Sequence, residues 1–282
     1  METGKMRPIN NCESGYVTSY DNYKIYYEKY TPENIKKMPI LLIHGLSCNM
    51  TVWKEYIPIF LSWGHQIIAP DLRGHGKSDK KADISFEKAA KDLKLILKKE
   101  GIEGVIILAN CFGVGVALNY CKLYGESVRK MVFITPTYVN PLKYKKVVNR
   151  FTKLFYNMLK TGLKYAKVDE IKYPYSDHTR DKKSKCLTLY LKNFRDNPVR
   201  THLACFYQLI TQDDSNILPN IDCPVLIIAA EKDVYTPLKI SKDLKKMISH
   251  SKLKVIKDMD HAMMIRIPHR ISRPIYEFVE QD

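Results

Sequence analysis

Short, almost wholly apolar runs alternate along this chain with stretches of helical spacing. The opening differs: residues 15–20 and 24–30 are rich in tyrosine and flank Asp21-Asn22-Tyr23, a turn signal that predicts a hairpin. The runs at 38–43, 66–70, 104–109, 131–134, 224–229 and 252–256 read as further strands, and their continuous apolarity predicts burial on both faces. Helices are predicted over 51–63, 86–100, 114–124, 237–249 and 268–280. In 86–100, Phe86, Ala89, Ala90, Leu93, Ile96 and Leu97 fall near one face, and Gly101 stops the helix. This alternation predicts an α/β protein with a mostly parallel, eight-stranded sheet covered by helices on both faces.

Between 140 and 220 the alternation stops. Several helical patterns remain and no convincing buried strand does. The segment is too long for a structureless loop inside a compact domain. It is expected to be a helical lid, or cap, inserted into a core made of residues 1–139 and 221–282. It holds 16 Lys+Arg against 7 Asp+Glu, so it carries +9 of the chain's +16. Its aromatics, among them Tyr144, Phe151, Phe155, Tyr156, Tyr190 and Phe206, sit at helical spacing and read as lid core before pocket wall.

A length of 282 residues suits one large domain carrying such an insertion. A charge of +16 raises the question of nucleic acid or anionic lipid. The lysines are scattered and no nucleic-acid motif appears, so a general lysine bias is favoured and no nucleic-acid partner is expected. Seven cysteines, at 12, 48, 111, 121, 186, 205 and 223, fit no zinc or disulfide spacing. Residues 1–6 lead into no apolar run, and no stretch reaches the roughly 18 apolar residues of a membrane helix. The expectation is a cytoplasmic protein with reduced thiols and no stable membrane insertion.

The sharpest chemical signal is Ala109-Asn110-Cys111-Phe112-Gly113-Val114-Gly115, directly between an apolar strand and a helix. A nucleophile elbow needs this placement, with small residues two before and two after the nucleophile. Ala109 and Gly113 satisfy it. Gly115 lets the helix pack closely on the sheet. The Cys111 sulfur would lie at a helix N-terminus, where the dipole favours a thiolate. The plain alternative is a cysteine buried at a strand end. Downstream, Asp233 follows the strand at 224–229 and His261 follows the strand at 252–256, in the order nucleophile, acid, histidine. Both lie past the C-terminal ends of strands, the edge where open α/β sheets bind ligands. Glu231 and Asp260 compete for the acid role, but Asp233 stands in the loop before a Pro-started helix.

These motifs resemble the α/β-hydrolase superfamily, in its lidded esterase, thioesterase and acyltransferase branch, from about residue 15 to 280. His44-Gly45-Leu46-Ser47 is similar to the His-Gly loop that supplies an oxyanion-hole amide. Residues 71–78 (DLRGHGKS) resemble the Asp-x-Arg-Gly-x-Gly-x-Ser loop of lidded members. By resemblance, the oxyanion hole is the backbone N–H groups of Leu46 and Phe112. His44 and His75 then shape loops, and His65, His178, His202, His250 and His269, which have no motif around them, are expected at the surface. Cys111 departs from the usual serine. Dienelactone hydrolases and polyhydroxyalkanoate synthases also use cysteine on this fold, but the chain resembles neither closely outside the elbow.

The resemblance implies a hydrolase acting on a small-molecule carboxylic ester or thioester. Cys111 attacks, His261 moves the proton and Asp233 orients the imidazole. No metal or organic cofactor is implied. Two other readings stand beside it. One is an acyltransferase using the same acyl-cysteine, since thioesters yield readily to amines and thiols. The other is a non-catalytic ligand-binding protein on this fold. An anionic or carrier-bound substrate would suit the lid's charge, and so would lysines that only keep the lid soluble.

Overall fold

The hairpin predicted at the start forms: β1 (Cys12–Thr18) and β2 (Lys24–Tyr30) pair antiparallel. Asn22 takes the left-handed φ of +63° that the turn requires, and the Ser19 hydroxyl accepts the Tyr23 N–H at 2.9 Å. Then follow β3 (Lys37–Ile43), β4 (His65–Pro70), β5 (Val105–Asn110), β6 (Val128–Ile134), β7 (Val225–Ala230) and β8 (Ser251–Ile256). In this computed structural model they make one sheet in the order β1-β2-β4-β3-β5-β6-β7-β8. Every pairing from β4 to β8 is parallel, and the β2–β4 pairing is antiparallel. The structure describes residues 11–35, 37–144, 152–168, 172–179, 182, 188 and 194–281. Residues 1–6, Cys186 and Tyr190, and the side chains of Phe151 and Phe155, all read above, lie outside the description.

Side chains alternate between the sheet's two faces, as strand geometry demands. Leu41, Ile43, Ile107 and Ala109 join an apolar cluster with the helices Phe86–Lys99, Phe112–Tyr124 and Leu238–Met247. Ile40, Leu42, Ile106 and Leu108 join a second cluster with the helices Ile57–Ser62 and Pro268–Val279. All six apolar residues assigned to one face of the second helix are buried. One predicted helix divides. The stretch 51–63 becomes a 3-10 turn, Met50–Trp53, and a short helix, Ile57–Ser62. Asn49 caps the first by accepting the Thr51 N–H at 2.9 Å, and Pro58, which has no N–H, opens the second.

Between β6 and β7 the described residues include the helices Thr152–Tyr165 and Val199–Thr211. They meet where the Tyr156 and Tyr207 rings lie 5.3 Å apart and their hydroxyls hydrogen-bond at 3.0 Å. Among the described residues no helix is long and apolar enough to cross a membrane.

Candidate active site

Strand β5 ends at Asn110, and the chain turns at once into the helix Phe112–Tyr124. Cys111 sits on that turn with φ 47° and ψ −110°, a conformation that costs a non-glycine residue of order 1–3 kcal/mol and survives only where its surroundings enforce it. They do so here. The Cys111 N–H donates to Ile134 O at 3.0 Å, and Asn110 Nδ2 donates to Thr135 Oγ1 at 3.1 Å. The helix crosses very close to β3: a Cβ on Gly113 would stand 2.6 Å from His44 O, and one on Gly115 would stand 2.7 Å from the Phe86 ring. The small residues that the sequence places around Cys111 are therefore required by contact, not by flexibility.

Asp233 and His261 converge on this turn from the ends of β7 and β8. Their side chains meet at 2.6 Å, Asp233 Oδ2 to His261 Nδ1, and both are buried. Asp233 is held on all sides. Its Oδ1 accepts the N–H groups of Tyr235 at 2.8 Å and Thr236 at 2.9 Å, and its Oδ2 accepts the Thr236 hydroxyl at 2.8 Å. With Nδ1 committed to the carboxylate, the other ring nitrogen of His261 is left for the Cys111 side chain, which hydrogen-bonds the imidazole. Burial disfavours a charge on His261. The Asp233 carboxylate and the Cys111 sulfur outweigh it and hold the imidazolium well above the usual histidine range. Burial likewise pushes the Asp233 carboxyl up, but the His261 charge and the bonds from His261 and Thr236 bring it below its ordinary value.

The rival acids are engaged elsewhere. Glu231 accepts the Asp258 N–H, and Asp260 accepts the Ala262 N–H and pairs with Arg266 at 2.7 Å. Leu46 and Phe112 are buried beside the turn, and among the described residues neither amide N–H donates to another protein group. His44 lies against this loop as a structural ring. It donates through Nδ1 to Gly45 O at 2.8 Å and accepts the Leu72 N–H at Nε2 at 3.0 Å. Both nitrogens are used, and burial brings its pKa down to about 3. His75 is buried and neutral for the same cause, with Nδ1 bonded to Arg73 O. Asp71 ties the two motif loops together by accepting the Met50 and Lys77 N–H groups, each at 2.8 Å.

Three histidines differ from expectation. His65, His178 and His202 are buried, whereas His250 and His269 are exposed. Each buried ring has polar company that no local motif announces. His65 bonds Met38 O, His178 lies 3.7 Å from Asp196, and His202 bonds Ser47. Thr135 and Thr236 were also missed. The Thr236 hydroxyl reaches Asp233, Thr135 O at 3.2 Å and His261 Nδ1 at 3.4 Å, linking the elbow to the acid loop. A threonine three residues after an aspartate is a turn signal that could have marked it. Among the described residues, no three His, Cys, Asp or Glu side chains converge as metal ligands would.

The model of the alpha/beta hydrolase fold family matches residues 38–266. Protein ABHD8 of Homo sapiens is 22% identical over 254 residues, which is 85% of this chain and 54% of the relative. The chain thus spans about half the length of that relative. The bifunctional esterase/perhydrolase DCH of Acinetobacter calcoaceticus is 24% identical over 279 residues, covering 94% of this chain and 99% of the relative. Among solved structures, a bromoperoxidase from Bacillus anthracis superposes with a TM-score of 0.75 at 20% identity, covering 95% of this chain and 100% of its own. An esterase from Exiguobacterium antarcticum does so with a TM-score of 0.73 at 20% identity, over 94% and 99%. These structural likenesses speak for the fold.

Proposed function

Because this chain belongs to the alpha/beta hydrolase fold family, we propose that it hydrolyses a small-molecule carboxylic ester or thioester through an acyl group carried on Cys111. The carrying observation is the buried relay from Asp233 to His261 to Cys111, with the sulfur on a strained turn between β5 and its helix. The Cys111 sulfur, its proton already held on the His261 imidazolium, attacks the carbonyl carbon. The oxyanion that forms is met by the N–H groups of Leu46 and Phe112. His261 returns the proton to the leaving group as the first C–O or C–S bond breaks. It then takes a proton from water as the water attacks the thioester, and the acyl–Cys111 bond breaks to release the acid and leave the sulfur beside the imidazolium. Asp233 fixes the tautomer and stabilises the imidazolium.

Residues 140–220 are assigned to a lid over a core of 1–139 and 221–282. The lid's +9 charge supports a substrate with an apolar acyl part and an anionic or carrier-bound remainder. Six free cysteines among the described residues suit a reducing, cytoplasmic setting.

Sulfur at the nucleophile position favours a second reading. The acyl-enzyme is a thioester, so an amine or thiol acceptor would make the same site an acyltransferase. The test is intact-mass spectrometry after exposure to a panel of esters and acyl-thioesters. Hydrolysis predicts an acyl mass on Cys111 that decays in buffer. Transfer predicts decay only when an amine or thiol is added. No adduct, together with no turnover of a chromogenic ester, would sink both and leave a ligand-binding protein.

A further inference from the structure

Ser47 is held in a conformation that its residue type does not favour. Its φ of +59° lies in the left-handed region, where a residue with a Cβ stays only if its surroundings enforce it. The enforcing groups come from the far end of the segment assigned to the lid. His202, on the helix Val199–Thr211, bonds the Ser47 hydroxyl through Nδ1 at 2.7 Å. Asn197, in the turn before that helix, donates from Nδ2 to Ser47 O at 3.3 Å. All three residues are buried. Both partners are themselves locked. Asn197 Oδ1 accepts from the Lys80 ammonium at 2.8 Å, which turns Nδ2 toward Ser47. His202 Nε2 is committed to Phe194 O at 3.0 Å and Asn197 O at 3.2 Å, and the Phe194 ring stacks on the imidazole with centroids 3.7 Å apart.

We propose that His202 and Asn197 are positioning residues for the reaction: from the segment between β6 and β7 they hold Ser47, and so keep the neighbouring Leu46 N–H where it meets the oxyanion. The inference rests on the reading of Cys111 as acyl carrier and of the Leu46 N–H as an oxyanion donor. The segment assigned to the lid then acts on the chemical step itself.

Such a role has a signature that loose packing does not share. Attack of Cys111 on a carbonyl builds an oxyanion, and losing one oxyanion donor lowers kcat by about 10²–10³. Alkylation of Cys111 by iodoacetamide forms an S–C bond as iodide leaves, and builds no oxyanion. A variant whose Leu46 N–H is displaced therefore acylates slowly and alkylates normally. A variant whose Cys111 and His261 have come apart does both slowly.

The experiment measures two rates on Cys111 in the full chain: acyl-mass gain from a chromogenic ester, and alkylation by iodoacetamide. It compares the parent with S47A, H202Q, H202N and T201V, each checked for folding by its melting temperature. S47A and H202Q should acylate slower by up to the order of 10², with alkylation unchanged. H202N should recover most of the loss. Its Oδ1 stands where Nδ1 stood and can accept the Ser47 hydroxyl, whereas the glutamine amide reaches only the Nε2 position. T201V removes a bond from the same helix that goes elsewhere, Thr201 Oγ1 to Gly74 O at 3.3 Å, and should leave both rates at the parent's values. S47A, which deletes one hydroxyl, decides the matter if H202Q does not fold. Acylation at the parent's rate in S47A overturns the proposal. So does a joint fall of acylation and alkylation, or an equal fall of acylation in T201V. A parent chain that takes no acyl group and turns over no ester fails the functional reading itself, and the proposal falls with it.

Discussion

Ser47 Oγ hydrogen-bonds His202 Nδ1 at 2.7 Å, joining residues 155 positions apart. The proton positions follow from the neighbours. His202 Nε2 faces two carbonyl oxygens, Phe194 O at 3.0 Å and Asn197 O at 3.2 Å, so Nε2 carries the hydrogen and Nδ1 accepts from the serine. Ser47 holds a φ of +59° directly after Leu46, so this bond steadies the loop that presents the Leu46 amide. Asn197 reinforces it by donating to Ser47 O at 3.3 Å.

That bond makes the first prediction. Ser47→Ala should destabilise by about 1 kcal/mol, and His202→Ala by about 2–4 kcal/mol, because it also leaves a cavity under the stacked Phe194 ring. Urea unfolding of both single variants and the double variant should reveal a coupling of about 1 kcal/mol. Strictly additive losses would mean that the contact contributes nothing of its own.

The second prediction concerns the acid. Asp233→Asn should keep the fold and lower kcat by up to the order of 10⁴, the loss seen when tautomer control is removed from a serine triad. The loss can be smaller here because a thiol ionises more easily than a hydroxyl. Glu231→Gln and Asp260→Asn should leave kcat near wild type, since their carboxylates hold backbone amides and Arg266 instead. A crippled Glu231 or Asp260 variant beside a mild Asp233→Asn would move the acid role.

These residues divide by how far their determinants lie along the chain. The Cys111 turn was legible because apolar run, small flanks and helix are all local. Asp233 and His261 were legible because both strands end in recognisable loops. His202 was not. It lies on the exposed-looking helix Val199–Thr211, and only the packing of that helix against the loop at residues 44–48 buries it. His65 and His178, also expected at the surface, are buried against partners their own neighbours do not announce, Met38 and Asp196. The broken helix at 51–63 was half legible: Pro58 could have marked the restart, but the Asn49 cap depends on a loop geometry that no pattern fixes.

A third prediction follows from the histidines buried as neutral rings. An unfolded histidine titrates near 6.5, whereas His44 titrates at about 3 and His75 well below its ordinary value, both through burial. As pH falls below about 6.5, the unfolded chain takes up protons that the folded chain refuses, so stability drops. Asp71, which burial raises to about 6, acts with the opposite sign below that pH. His261, raised in the fold, is charged in both states there and adds no slope. From these groups the net expectation is a loss of about 1.4 kcal/mol per pH unit from pH 6 to 4. Urea midpoints measured across that range check it. A flat profile would mean that His44 and His75 are protonated in the folded protein.

The fourth prediction separates Cys111 from the half-buried Cys48 that follows the loop at residues 44–47, proposed to form part of the oxyanion hole. Substoichiometric iodoacetamide should label Cys111 first and remove activity in proportion, because His261 is positioned to take the thiol proton. Peptide mapping after partial inactivation is the measurement. Label found mainly on Cys48 in the inactivated fraction would reassign the nucleophile.

The fifth prediction tests what the proposed lid's charge is for. Residues 140–220 carry +9 of the chain's +16, and the segment contacts the loop that holds Leu46 through His202 and Asn197, which bond Ser47. Its field would therefore act on whatever approaches Cys111. Attraction of an anionic substrate raises the rate of encounter, and salt weakens it, with a Debye length of about 10 Å at 0.1 M. Lysines that serve only solubility would leave neutral and anionic substrates equally sensitive to salt. The measurement is kcat/KM for one neutral and one anionic ester of the same acyl chain, from low to high ionic strength. Steering requires the anionic ester to lead at low salt and to lose that lead as salt rises, through the encounter rate and with kcat unchanged. Parallel curves for the two esters would remove the anionic substrate and leave the charge as a property of the surface.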